Sequence, residues 1–213
     1  MLEPYFIAEC VALICSIFLL FSKTEKYLKW FVLYTSIVVL IEVAGMWLKE
    51  LLKDNHVIYN GFILFDMLFF FWIFYKSFKE RNVKKTIKIL TIAGIVIYAV
   101  NVTVGQGLTH FNSYTVIFEC IAVSALAFTY LFFLAQDTGG KQFYKLTMFW
   151  VSIGVLLFYL PESILFSAFA YLSYTKQDST LFGHAFWVVT NICNVICYLC
   201  FSIGFLCKLK LAG

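Results

Sequence analysis

Charged residues are scarce in this chain. Asp, Glu, Lys and Arg make up 13% of its 213 residues, against about 25% in soluble domains, and that shortage excludes an ordinary water-soluble fold and a charge-rich disordered tail. Proline is scarcer still: Pro4 and Pro161 are the only two, so long apolar stretches continue with almost no breaker inside them. The alternation of apolar and polar residues in segments of about 10 that marks a membrane barrel is missing. Phosphate-cradling and dinucleotide glycine patterns, a GxSxG nucleophile turn and a HExxH zinc pair are missing too, which leaves no familiar catalytic signature. The start, MLEPYFIAEC, has no basic stretch, and no small-residue cleavage signal follows its first apolar run. That run is expected to be a mature helix and not a signal peptide.

What is present is hydrophobic bulk, 62% of all residues, with 20% aromatic. A helix needs about 20 apolar residues to cross about 30 Å of hydrocarbon. Seven such runs fill the sequence: 5–21, 28–52, 57–75, 87–104, 113–134, 143–171 and 182–206. Turn-forming residues punctuate the gaps at Asp54-Asn55, Gly105 to Gly107, Asp137 to Gly140 and Thr175 to Thr180. The expected fold is an all-α membrane protein, a single seven-transmembrane-helix bundle over residues 1–213 with no room for a separate soluble domain.

Basic residues fall on one side of that bundle. Lys23, Lys26 and Lys29 flank the first connection, and Lys76, Lys79, Arg81, Lys84, Lys85 and Lys88 crowd the third. Lys141 and Lys145 flank the fifth, and Lys208 and Lys210 lie in the tail, opposed only by Lys49, Lys53 and Lys176. Positive residues favour the cytoplasmic side, so the N-terminus is expected outside and the C-terminus in the cytoplasm. The net charge of +4 is then a topology signal. The partner it implies is the lipid bilayer, anionic lipid included, and not nucleic acid.

Five acids interrupt the runs: Glu9, Glu42, Asp66, Glu119 and Glu162. A carboxylate near the bilayer centre costs about 2.5–3.5 kcal/mol on insertion scales, so such residues face the bundle interior and mark function by default. At 1.5 Å per residue all five fall in the outer half. Residues three, four and seven apart share a helix face, and each run shows a polar seam on this rule. Glu9 aligns with Tyr5 and Ser16, Glu42 with Thr35, Gly45 and Lys49, and Asp66 with Tyr59. Tyr98 and Asn101 mark the fourth run, Asn112, Thr115 and Glu119 the fifth, and Tyr159 stands a turn before Glu162 in the sixth. The seventh carries His184, Trp187, Asn191, Asn194 and Tyr198.

These seams are expected to converge on a polar cavity open to the exterior. Its candidate ligand-binding residues are Glu9, Glu42, Tyr59, Asp66, Asn101, Glu119, Tyr159, Glu162, Trp187, Asn191 and Asn194. The carboxylates supply charge for a small cationic or polar ligand, and the aromatics supply cation–π faces. Pro161 frees a backbone carbonyl beside Glu162, a place for a kink or hinge. At the opposite end Phe69, Phe70, Phe71, Trp72 and Tyr75 are expected to close the path.

Cysteine and histidine point to no cofactor and no metal. All seven cysteines fall in or beside spans, and the one CxxC, Cys197 to Cys200, lacks the second pair a four-ligand site needs. His56, His110 and His184 share a side with the acids but have no ligand spacing.

Three segments, VIYNGFILFDMLFFFWIFYKSF, MFWVSIGVLLFYL and NICNVICYLCFSIGFLCK, resemble uncharacterised seven-transmembrane inner-membrane proteins of Bacteroidota. The resemblance implies a bacterial cytoplasmic membrane and a part in signal sensing, and supplies no activity. Two short patterns, Phe158 to Pro161 and Asn194 to Tyr198, look like those of G-protein-coupled receptors. The second lacks its proline and no DRY-like triplet ends the third run, so they carry no weight. The expected function is a receptor-like or sensory protein that binds its ligand from outside and acts through cytoplasmic loops or a signalling partner. A secondary transporter using the same acids for cation or proton coupling is the alternative, and a structural subunit of a membrane assembly the third.

Overall fold

A computed structural model describes residues 3–52, 56–108, 110–138, 142–175 and 180–207. The turns expected at Asp54-Asn55, Gly139-Gly140 and 176–179 lie outside the described residues, as do Lys53, Lys141, Lys176, Lys208 and Lys210. Seven long helices follow one another: α1 (Pro4–Phe21), α2 (Phe31–Leu52), α3 (His56–Ser77), α4 (Arg81–Thr103), α5 (Ser113–Thr138), α6 (Thr147–Thr175) and α7 (Thr180–Leu206). Short 3-10 turns, Lys26–Trp30 and Phe143–Lys145, lead into α2 and α6. All seven helices are long and apolar enough to cross a membrane, and no strand occurs among the described residues. In hydrocarbon a segment must satisfy its own backbone, and the helix does so within itself. The chain is a multi-pass membrane protein.

Pro4 occupies the first turn of α1, where its missing N–H has no intrahelical partner to lose. At the other end of α1, the Lys29 ammonium donates to the free Leu20 carbonyl at 2.9 Å, which covers one of the acceptors a helix end leaves open. The element most displaced from expectation is α4, which begins at Arg81 and not near residue 87. Its first turns carry Lys84 and Lys88, one turn apart, over the Tyr75 ring at 5.4 and 5.6 Å. Long basic side chains of this kind let a helix extend beyond its apolar part.

Six of the helices close a ring. The packed neighbours are α1 with α2, α2 with α3, α3 with α5, α5 with α6, α6 with α7 and α7 with α1. This sets α1 across from α5, and α2 across from α6. α4 stands outside the ring against α3 and α5. Its buried residues are Ile87, Gly94 and Asn101, a single stripe at seven-residue spacing, and a Cβ on Gly94 would stand 2.6 Å from the Met67 sulfur. By contrast α3 is buried on several faces, from Asn60 and Ile63 through Asp66 to Phe74. A helix apolar all round belongs inside.

The half of the ring away from the N-terminus is packed with rings. Phe31 of α2 meets Phe69, Phe201 and Phe205 at centroid distances of 5.2, 5.8 and 5.3 Å. Phe70 meets Tyr159 at 5.5 Å and Phe201 at 6.3 Å. Phe31, Phe70 and Phe205 are fully enclosed. Phe69 to Phe71 pack into this half as expected, joined by Phe31, Phe201 and Phe205, whereas Tyr75 turns to α4 beneath Lys84 and Lys88 and Trp72 packs against Trp30 at 6.0 Å. Gly154 and Gly204 bring α6 and α7 into close contact: a Cβ at either would lie within about 3 Å of Cys197 or Thr147 backbone, the close approach that small residues permit in membrane helices.

Candidate functional site

Toward the N-terminal end the same ring encloses a cavity of about 290 Å³. Its wall contains all five intramembrane acids, and among the described residues no Lys, Arg or His lines it.

Asp66 forms the floor. Its Oδ1 accepts a hydrogen bond from the Tyr34 hydroxyl at 2.8 Å, and its Oδ2 accepts one from Tyr159. Three helices, α2, α3 and α6, are tied at this point. The Glu119 carboxyl adjoins Asp66, and its Oε1 has no hydrogen-bond partner. Two adjoining carboxyls repel if both are ionised, and a proton or a bound cation relieves that repulsion.

The α1–α2 wall holds Glu9 and Glu42, which are electrostatic neighbours. Asn194 of α7 donates to Glu9 Oε1 at 3.2 Å, while Glu9 Oε2 is buried without a partner. Glu42 Oε2 accepts from the Tyr59 hydroxyl at 3.1 Å. Tyr59 can lie there because Gly45, one turn beyond Glu42, has no side chain: a Cβ would meet its hydroxyl at 2.7 Å. On the α6 wall Glu162 is 1% exposed, and neither of its oxygens has a hydrogen-bond partner. Thr190 of α7 approaches it without forming a bond of ordinary geometry. α6 continues as a helix through Pro161, and Glu162 follows it directly. Phe62, Phe158, Phe166 and Phe111 complete the lining, the last two stacked at 5.3 Å.

Of the expected site residues, Glu9, Glu42, Tyr59, Asp66, Glu119, Tyr159, Glu162 and Asn194 meet at this cavity. Asn101, Trp187 and Asn191 do not. Asn101 is buried in a polar knot where α4 turns toward α5, bonded to Asn112 and, at 3.1 Å, to Gln106. α4 lies outside the ring, so its seam cannot reach the interior. Trp187 is 52% exposed and lines an outer groove with Asn191 beside Pro4. Seven-residue partners also part company: Ser16 and Thr35 bond to each other at 3.0 Å between α1 and α2, below the cavity.

Tyr34, Thr190 and Cys197 line the cavity beyond the residues expected there, and Tyr198, the end of the expected α7 seam, lines it too. Spacing carries a signal for the first three. Tyr34 and Val38 precede Glu42 at four-residue steps, and Thr190, Asn194 and Cys197 follow a four-then-three pattern on one face of α7. The knot has its own organiser in Asn60 of α3, which donates to the Leu108 and His110 carbonyls at 2.9 and 2.8 Å and accepts from the Asn112 N–H at 3.0 Å. The cysteines are free. Among the described residues no three His, Cys, Asp or Glu side chains come together closely enough to hold one metal ion.

Compared with family models, curated proteins and solved structures, the chain gives no match. Its function must be argued from the cavity itself.

Proposed function

We propose that this is a receptor-like or sensory membrane protein whose cavity binds a small organic cation. The observation that carries the reading is the charge imbalance of the lining: five carboxyl groups, partly unpartnered and enclosed by aromatics, with no basic side chain among the described residues that line it. An unpaired buried charge costs several kcal/mol, about 3–5 when one partner of a buried pair is removed, and a cation that enters offsets that cost. Tyrosine and phenylalanine faces attract ammonium groups further. A volume of about 290 Å³ sits at the lower end of ligand pockets, about 300–1,000 Å³, and favours a small molecule.

Orientation follows from the distribution of lysine and arginine. The cavity end faces outward, with the N-terminus, and the aromatic end faces the cytoplasm of a bacterial cell. Ligand then arrives from outside, and the signal leaves through the cytoplasmic connections or a partner that docks on them. The filled aromatic half closes the far end of the cavity, which fits a blind pocket; a carrier would open its site to each face in turn, and flux distinguishes the two.

The test is thermal unfolding of the purified protein in lipid nanodiscs with a panel of alkylammonium ions and their uncharged alcohol isosteres. Stabilisation by the cations alone, reduced in Glu162→Gln, is expected. Equal stabilisation by the alcohols, or none by any cation, would overturn the reading. Labelled-amine flux into proteoliposomes separates receptor from carrier, and no flux is expected.

A further inference from the structure

The acids are not spread evenly around the cavity. Glu9 and Glu42 belong to α1 and α2, and Glu119 and Glu162 to α5 and α6, which the ring places on the opposite side. Each side presents a carboxylate oxygen that no protein group satisfies: Glu9 Oε2 on one, and both Glu162 oxygens on the other, from residues that are each 1% exposed. Asp66 differs, because both its oxygens are taken by tyrosines. Between the two acidic sides the lining is mixed: α3 contributes Phe62 and Ile63 above Asp66, and α7 contributes Thr190, Asn194, Cys197 and Tyr198, with Val38 and Phe158 adding apolar surface. Glu9 and Glu162 flank α7, one beside Asn194 and the other beside Thr190 a turn away, so one helix separates their walls. With helix axes about 8–10 Å apart, the two inward-reaching glutamates leave a gap that a short chain spans. A single ammonium in that space satisfies one side and leaves the other unpaired. A metal ion fits poorly, since no three ligating groups converge among the described residues.

We propose that the cavity selects a short linear dication, with one ammonium held by Glu9 and its neighbour Glu42, the other by Glu162, and an apolar spacer against the aromatics between them. This rests on the cation-binding reading above and names its ligand class. Charge-assisted contacts at both ends make the affinity depend on both ends together, at about tenfold or more for each end lost.

The experiment is calorimetric titration of the nanodisc-embedded protein with putrescine, butylamine and butanediol, followed by longer and shorter diamines. Putrescine is expected to bind about tenfold or more tightly than butylamine, with butanediol silent and an optimum in spacer length. Glu9→Gln and Glu162→Gln should each reduce putrescine affinity toward that of butylamine. Equal affinity for putrescine and butylamine overturns the dication proposal while cation binding stands. Silence from every amine overturns both. Unliganded melting curves of the variants establish that they fold, and the wild-type diamine series decides the matter independently of any variant.

Discussion

At the level of Phe31, Phe70 and Phe201 the ring of helices is filled by aromatic contacts, whereas a few turns toward the N-terminal end the same helices enclose a cavity with five carboxyls. Water gives no hydrophobic drive between helices already surrounded by lipid tails, so their association rests on close packing and interhelical hydrogen bonds. The two halves divide these means. The aromatic half holds the helices by dispersion and edge-on ring contacts, each ring pair worth about 0.5–1.5 kcal/mol beyond its area. The acidic half contributes a few bonds, at Asp66, Glu42 and Glu9, and leaves other polar atoms unsatisfied. The difference teaches that the cavity is maintained against its own cost by a stable neighbour, which is the arrangement expected of a site.

The strongest way to break that comparison is Phe31→Ala. Removing a fully enclosed ring that touches Phe69, Phe201 and Phe205 should cost about 3–5 kcal/mol, read as a lower unfolding midpoint in detergent. Ammonium preference should be unchanged. A loss below about 1 kcal/mol, within the range of an ordinary substitution, would mean that the aromatic half does not carry the bundle.

A smaller effect is expected at the boundary between the halves. Asp66→Asn keeps the shape but leaves one of the Tyr34 and Tyr159 hydroxyl hydrogens without an acceptor, at about 1–3 kcal/mol. Tyr159→Phe removes the same bond from the other side. The double variant should cost clearly less than the sum of the two, because both changes delete one shared interaction. Additive losses would show that Asp66 and Tyr159 act separately.

Gly45→Ala probes the rim and should be milder. A methyl group would stand 2.7 Å from the Tyr59 hydroxyl, so Tyr59 swings off Glu42 and a bond of about 0.5–1.5 kcal/mol is lost. Alanine's helix preference over glycine, about 1 kcal/mol, offsets much of this. The ring carbons Cζ and Cε2 would also lie 3.0 and 3.1 Å from the methyl, so the ring at position 59 must shift in either background. With Tyr59→Phe no hydrogen bond is lost as it does, and the midpoint should change more favourably there than in the wild-type background. An equal shift in both backgrounds would separate Gly45 from Tyr59.

The seven helices were legible because hydrocarbon leaves a long apolar run almost no other structure, and the five acids because each is too costly to leave facing lipid. Which side of a helix faces inward was less legible. On α7 the steps from Trp187 to Asn191 to Asn194 turn by about +40° and about −60° and nearly cancel, so periodicity sets all three on one face. Yet Trp187 and Asn191 line the outer groove and Asn194 the cavity, a division made by how α7 packs on its neighbours and not by spacing. α4 was misjudged for another reason: Tyr98 and Asn101 form a seam, but a helix outside the ring turns its seam to a neighbour, and only Ile87, Gly94 and Asn101 at seven-residue spacing betray that position. Tyr34 was hidden in an apolar run because periodicity weighs polarity, and its hydroxyl counts for little beside its ring.

The smallest expected change in stability is also the most discriminating. Glu162 lies 1% exposed with no hydrogen bond to either oxygen, so Glu162→Gln removes no bond that the fold uses. If the acids were interhelical glue, this substitution would resemble Asp66→Asn and cost about 1–3 kcal/mol. If Glu162 is instead held for a ligand, the unliganded midpoint should stay within about 0.5 kcal/mol of wild type or rise, since an amide is easier to bury than a carboxylate. A midpoint that falls as far as that of Asp66→Asn would place Glu162 with the structural acids and leave the cavity without its one wholly unpartnered carboxylate.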